Sequence, residues 1–199
     1  CSRVCTSSKD GESSKMIPEA QILEGFQFSL KPFREEQVSD RYIGWLNDPE
    51  VNRFLEIRFV RQNNATASSF VRSFYSGVEK YMWGIYPNHH EEMIGTITLH
   101  HVNLIHGTAE VGLLIGEKCY WGKDASTEAM NLLAQFAFET IGLRRLTGGT
   151  YATNHGMNFT FKRLGFRHEG TTRRSHLVDN DKYVDGYRWG ILSEEWKRS

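Results

Sequence analysis

The chain has 199 residues, the length of one domain with at most a short appendage. Its 24 Lys+Arg balance 24 Asp+Glu, which excludes a nucleic-acid binder that works through bulk positive charge. No apolar run approaches the ~18 residues of a membrane-spanning helix, and three cysteines without a CxxC pair offer neither a disulfide framework nor a zinc-finger pattern. These features predict a cytoplasmic protein that binds neither membrane nor nucleic acid.

Residues 1–16 are polar, lack a signal-peptide core and read as a disordered tail or an expression remnant. The expected boundaries are a tail over 1–24 and a folded domain over 25–199. Phe26, Phe28 and Leu30 alternate with polar residues and predict a first strand. Ser39–Leu55 carries a helical pattern broken by Asn47-Asp48-Pro49, so two short helices are expected with a break at Asp48. A further helix is expected over Asn64–Gly77. Strands follow at Tyr81–Tyr86, Met93–Val102 and Thr108–Gly116, the last two separated by a His106-Gly107 turn.

Ala125–Ile141 gives the strongest helical signal, with Ala129, Leu132, Leu133, Phe136 and Ala137 on one face. Arg145–Thr153 reads as a strand and Asn154–Leu164 as a helix closed by Gly165. Phe166–Leu177 and Tyr183–Leu192 form an expected hairpin that turns at 179–182. The order predicts a single α/β domain of the α+β type, with a central mixed, mostly antiparallel sheet flanked by helices.

Chemistry concentrates where a strand feeds a helix through the loop 117–127. A helix N-terminus presents unpaired backbone N–H groups and favours an anion. Gly122 permits close approach, Lys123 adds charge, and Ser126 and Thr127 add hydroxyls. A helix cap by Asp124 or Ser126 is the plainer reading. The spacing is neither Walker A nor Gly-x-Gly-x-x-Gly. Five histidines fall between His89 and His106, but His100 and His101 are adjacent on a strand and are expected to face opposite sides. No metal site is expected.

The segment Leu114-Ile-Gly-Glu-Lys-Cys-Tyr-Trp-Gly-Lys-Asp-Ala-Ser-Thr-Glu-Ala129 resembles the acyl-CoA pyrophosphate loop of the GNAT N-acetyltransferases. Its Trp-Gly-Lys-x-x-x-Thr-Glu-Ala form is similar to the branch of ribosomal-protein N-terminal acetyltransferases. Asn154-His-Gly-Met-Asn-Phe-Thr-Phe-Lys-Arg-Leu-Gly-Phe166 resembles the family's Asn-x-x-Ser-x-x-x-Tyr-x-Lys-x-Gly-Phe. Leu30–Arg34, Trp45–Arg53 and Gly95-Thr-Ile97 fit the same order, so the resemblance covers about 26–196.

The resemblance implies an acetyl-CoA-dependent transfer to a primary amine, either a protein N-terminus or a small amine such as a nucleotide-linked amino sugar. It implies that the backbone of Leu114, Ile115 and Gly116 pairs with the pantetheine arm. Trp121, Gly122, Lys123, Asp124, Ser126, Thr127, Asn154 and Phe161 are the other implied cofactor contacts. Glu110, four residues before Leu114, is the implied base. Phe161 stands where the family has a tyrosine that protonates the departing thiolate, and Tyr151 is the nearest substitute acid. Asp124 replaces the usual glycine and Met157 the usual serine. Trp45, Arg53, Arg58 and Phe59 are expected to wall the acceptor site, where two arginines would suit an anionic acceptor. A monomer or homodimer is expected. The departures at 124, 157 and 161 leave a non-catalytic acyl-CoA-binding module as the alternative.

Overall fold

The computed structural model describes residues 18–75, 80–179 and 181–197. Residues 1–16, the end of the expected helix at Gly77, and Asn180 in the expected hairpin turn lie outside them. Residues 18–24, assigned to the tail from sequence, lie against the domain. Leu23–Glu24 (β1) pairs antiparallel with Phe28–Pro32 (β2). The Tyr81 hydroxyl and the Trp83 indole donate to the carbonyls of Pro18 and Gln21 at 2.8 and 2.9 Å.

The expected pair of helices over 39–55 is reduced to one, Asp40–Asn47 (α1). Asp48 stops it: its backbone is extended, and its carboxylate accepts from the Glu50 N–H at 2.9 Å. Asn52 then donates to the Leu46 carbonyl at 2.8 Å. Side chains that bond the local backbone offer it an alternative to helix, and here that chemistry outweighs the apolar periodicity. A short 3-10 turn, Glu56–Phe59, follows. Asn64–Arg72 (α2) begins with Asn63 and Thr66 satisfying each other's backbone donors.

Tyr81–Pro87 (β3), Gly95–Asn103 (β4) and Thr108–Ile115 (β5) form a meander. Ala125–Gln135 (α3) loosens into a π-helical segment, Phe136–Ile141, and ends at Gly142 with φ +79°. Arg145–Tyr151 (β6) leads into His155–Arg163 (α4), whose first turn is capped by the Asn154 side chain on the Met157 N–H. The hairpin Arg167–Asp179 (β7) and Lys182–Leu192 (β8) closes the domain.

Among the described residues the eight strands form one sheet in the order β1-β2-β3-β4-β5-β6-β8-β7. Every pair is antiparallel except β5 with β6. One face carries the larger core, built with α3 and Phe161 of α4. The other face carries a smaller core from α1 and α2, around Phe33, Tyr42, Trp45, Val71 and Leu114. Residues of β5 divide between the faces by alternation, Ala109, Val111 and Ile115 to the first and Leu114 to the second.

Candidate active site

The parallel pairing of β5 and β6 covers only Thr108↔Arg145, Ala109↔Leu146 and Glu110↔Thr147. β5 runs on to Ile115 and β6 to Tyr151 without further rungs between them. The strands therefore splay, and from Val111 to Ile115 the backbone of β5 has an edge open toward β6. Gly148 accommodates the splay on the α4 side. A Cβ there would lie 2.3 Å from the para carbon of Phe161.

A cleft of about 390 Å³ opens along this edge. It brings together Leu114, Ile115, Trp121, Gly122, Lys123, Asp124, Ser126, Thr127 and Asn154, and Arg53 from the opposite wall. The first turn of α3 points its N–H groups into the loop. Gly122 has φ +74° and nothing within 4 Å of a built Cβ, so glycine is required by backbone conformation rather than by crowding. Asp124 has φ +59°, which explains why a glycine would be comfortable there, and its side chain does not cap α3. Its carboxylate pairs with Arg163 at the end of α4, which lines the same cleft. The Trp121 indole donates to the Ile115 carbonyl at 2.9 Å and fastens the loop to the end of β5.

Several expected contacts are corrected. Gly116 does not face the cleft: a Cβ there would meet the Trp45 ring at 2.0 Å, and its N–H bonds the Ile94 carbonyl at 2.9 Å. Trp45 is correspondingly buried, and its indole donates to Glu117 at 3.0 Å. Arg41, bonded to the same carboxylate at 2.8 Å, holds Glu117 below the ordinary carboxylate range. Phe161 is fully buried between Phe166 and Trp189 and makes no part of the cleft wall. Arg58 is anchored by donating to the carbonyls of Leu177 and Val178, which fix its guanidinium without neutralising it. Phe59 is half-exposed beneath the Arg58 guanidinium.

Glu110 is the last β5 residue paired with β6, at the apex of the splay. Its two carboxylate oxygens face His101 Nδ1 at 3.6 Å and an Arg188 nitrogen at 3.7 Å. Gly149 makes room for this arrangement, since a Cβ there would lie 3.0 Å from Arg188. Tyr151 lies farther along the open strand. Its hydroxyl is already committed, donating to Glu56 at 3.0 Å, and its ring lies 4.2 Å from that of His176 and 5.6 Å from that of Phe54. Burial first, and the bond to Glu56 second, raise the Tyr151 phenol above its ordinary value. The phenol proton is engaged with Glu56, which is the geometric argument against the substitute-acid role.

Sequence reasoning missed Arg163, Thr160 and Gly156, which line the cleft on one face of α4. Their spacing of four and three residues is the helical signal that would have found them. It also missed Arg188, His176 and Glu56, which reach the site from the hairpin and the 3-10 turn. Among the described residues no three His, Cys, Asp or Glu side chains are grouped to hold a metal ion, and no helix is long and apolar enough to cross a membrane.

Residues 27–167 match the family described as the acetyltransferase (GNAT) domain. YoaA, an uncharacterised N-acetyltransferase of Bacillus subtilis strain 168, is 26% identical over 174 residues, spanning 86% of this chain and 96% of the relative. The solved structure of RimL, a ribosomal alpha-N-protein acetyltransferase in complex with coenzyme A, superposes with a TM-score of 0.75 at 15% identity, over 86% of this chain and 98% of its own. A spermidine N-acetyltransferase from Vibrio cholerae, in complex with CoA and spermine, gives 0.75 at 17% identity, over 85% and 97%.

Proposed function

The chain belongs to the GNAT acetyltransferase family and is an acetyl-CoA-dependent acyltransferase, and from that premise we propose that it acetylates a primary amine at the apex of the β5–β6 splay. The observation that carries this is the open edge of β5, which runs from the α3 N-terminus to Glu110. A pantetheine arm pairs with such an edge as an added strand would. The pyrophosphate then falls at the first turn of α3, beside Lys123, Ser126 and Thr127.

Amines are largely protonated near neutral pH, so transfer needs a base. Glu110 fills that role at the end of the open edge. A backbone N–H of the β5 edge polarises the thioester carbonyl, and with Phe161 in the core the thiolate leaves without help from a tyrosine on α4. On the acceptor side the carboxylates of Glu56 and Glu110 are matched by the guanidinium groups of Arg58 and Arg188. The acceptor class is therefore a primary amine, either a protein N-terminus or a small amine. The relatives named for ribosomal protein and spermidine acetylation are consistent with that class.

The test is acetyl-CoA turnover with a panel of peptide N-termini, polyamines and amino sugars, read by thiol release and by product mass. Amine-dependent thiol release with an acetylated product supports the reading. Acetyl-CoA binding without turnover of any amine would establish the acyl-CoA-binding module instead.

A further inference from the structure

The strand β4 contains an irregularity directly opposite Glu110. Its register against β5 shifts between His100↔Glu110 and Asn103↔Thr108, so four residues of β4 face three of β5. His101 takes up the extra residue with φ +50°. Leu99 and Val102 both lie in the larger core, which leaves His100 and His101 together on the other face. Their rings are 6.1 Å apart. The expectation that neighbouring histidines would face opposite sides is thus overturned by a β-bulge, a device that re-aims side chains beside active sites. A left-handed backbone is unfavourable at a non-glycine residue, and what it achieves here is contact between His101 Nδ1 and Glu110.

We propose that His101 is the proton exit from Glu110: it takes the proton that Glu110 removes from the acceptor amine and releases it to solvent. The proposal rests on the acetyl-transfer reading with Glu110 as base. An ammonium acceptor and an acetyl thioester give an amide, a thiol and one proton. The N–C bond forms and the C–S bond breaks with its electron pair on sulfur. Of the two protons that nitrogen loses, one neutralises sulfur and the other must reach water. Glu110 is only about one-third exposed, whereas the His101 side chain is 78% exposed. The imidazole accepts at Nδ1 and releases from Nε2, which requires the Nε2–H tautomer at rest. At 3.6 Å the contact is just beyond hydrogen-bond length, as catalytic contacts commonly are before substrate arrives.

The other charged and titratable groups around the pair are Arg188, His100 and Lys80. Arg188 from β8 faces the other Glu110 oxygen. His100, on the same strand, is bonded to Thr98 Oγ1 at 2.7 Å and packed on Phe74, with Lys80 near enough to act on its charge. His100 is therefore enclosed, and His101 is the imidazole of the pair that meets solvent.

The test uses His101→Asn in the full chain, because asparagine tolerates the left-handed backbone but carries no proton at this pH. Steady-state rates are measured in a buffer that transfers protons poorly, with and without added imidazole. The expected result is a roughly 10-fold fall in kcat with kcat/KM for the amine unchanged, so that KM falls with kcat, together with an unchanged melting temperature and recovery of kcat with imidazole. An unchanged kcat, or a loss that imidazole does not restore, overturns the proposal. If no amine is turned over, acetyl-CoA hydrolysis by wild type and variant reads the same route, since water must lose a proton to the same base. A wild type that binds acetyl-CoA yet turns over neither amine nor water overturns both the exit route and the acetyl-transfer reading. A working wild type with an indifferent variant overturns the exit route alone.

Discussion

Asp124 places a negative charge beside the proposed pyrophosphate site, and replacing it with glycine separates stability from affinity. Glycine is at ease at φ +59°, which relieves roughly 1 kcal/mol of left-handed strain. Against this, glycine loses more chain entropy on folding, by about 0.5–1 kcal/mol. The ion pair with Arg163 is half-exposed at both ends, with side-chain accessibilities of 47% and 52%, so its loss costs about 0.2–1 kcal/mol. The contributions nearly cancel, and Asp124→Gly should shift the melting temperature by only a few degrees. Affinity behaves differently. A carboxylate that came within about 5 Å of a bound phosphate would be repelled by about 1–3 kcal/mol at effective dielectrics of 80 to 20. Its removal also frees the Arg163 guanidinium. Acetyl-CoA should bind about tenfold tighter, with a smaller gain at high salt. Isothermal titration at two ionic strengths, beside a thermal melt, measures both quantities. Equal or weaker binding by a normally folded Asp124→Gly variant would refute the electrostatic reasoning and leave Asp124 as a tie between α3 and α4.

Glu110→Gln should lower kcat by about 10²–10⁴-fold, most at low pH where the amine is most protonated, and leave acetyl-CoA affinity intact; an unchanged pH–rate profile moves the base elsewhere. Gly148→Ala forces a Cβ to within 2.3 Å of Phe161 and should cost about 1–3 kcal/mol in urea denaturation; a wild-type midpoint would mean that the ring turns aside freely. Burial lowers the pKa of His100 and of His176, so the unfolded chain binds protons more readily than the folded one below about pH 6.5. Their contribution is complete above that pH and is lost as pH falls toward the depressed folded values. Glu117, Asp48 and Glu169 have lowered pKa values and act at more acid pH. The urea midpoint should fall between pH 7.5 and 5.5, and a His100→Gln/His176→Gln double variant should flatten that slope; an identical slope removes the two histidines from the account.

Much of the fold is legible because its period is. α3 and the meander follow apolar spacing, and the loop that opens into the cleft is marked by Gly122-Lys123 before a helix. The failures in the fold share a cause: local backbone chemistry overrode the period. Asp48 and Asn52 dissolved the expected second helix by bonding neighbouring backbone groups. Leu99 and Val102, three apart inside a strand, were the only trace of the bulge that turns His101. Arg58 and Tyr151 carry suitable chemistry, yet no pattern in the chain says that one is held by carbonyls 119 and 120 residues away or the other by a carboxylate 95 residues away. Such partnerships exist only once distant segments have met.

The short contact between β5 and β6 also divides the molecule mechanically. Three rungs join the first five strands to the last three, and the chain that connects them passes through α3. What holds the halves together is the side-chain core beneath, where Leu146, Phe161 and Ile191 pack in one cluster with Ile97 and Val111. A seam held by side chains, with few backbone bonds, can open without unravelling either side. The amides of β6 and β5 near the seam should exchange with solvent faster than those of β3 and β4, and the two halves should behave as distinct cooperative units. The gap proposed to receive the thioester is, in this sense, also the hinge line of the sheet.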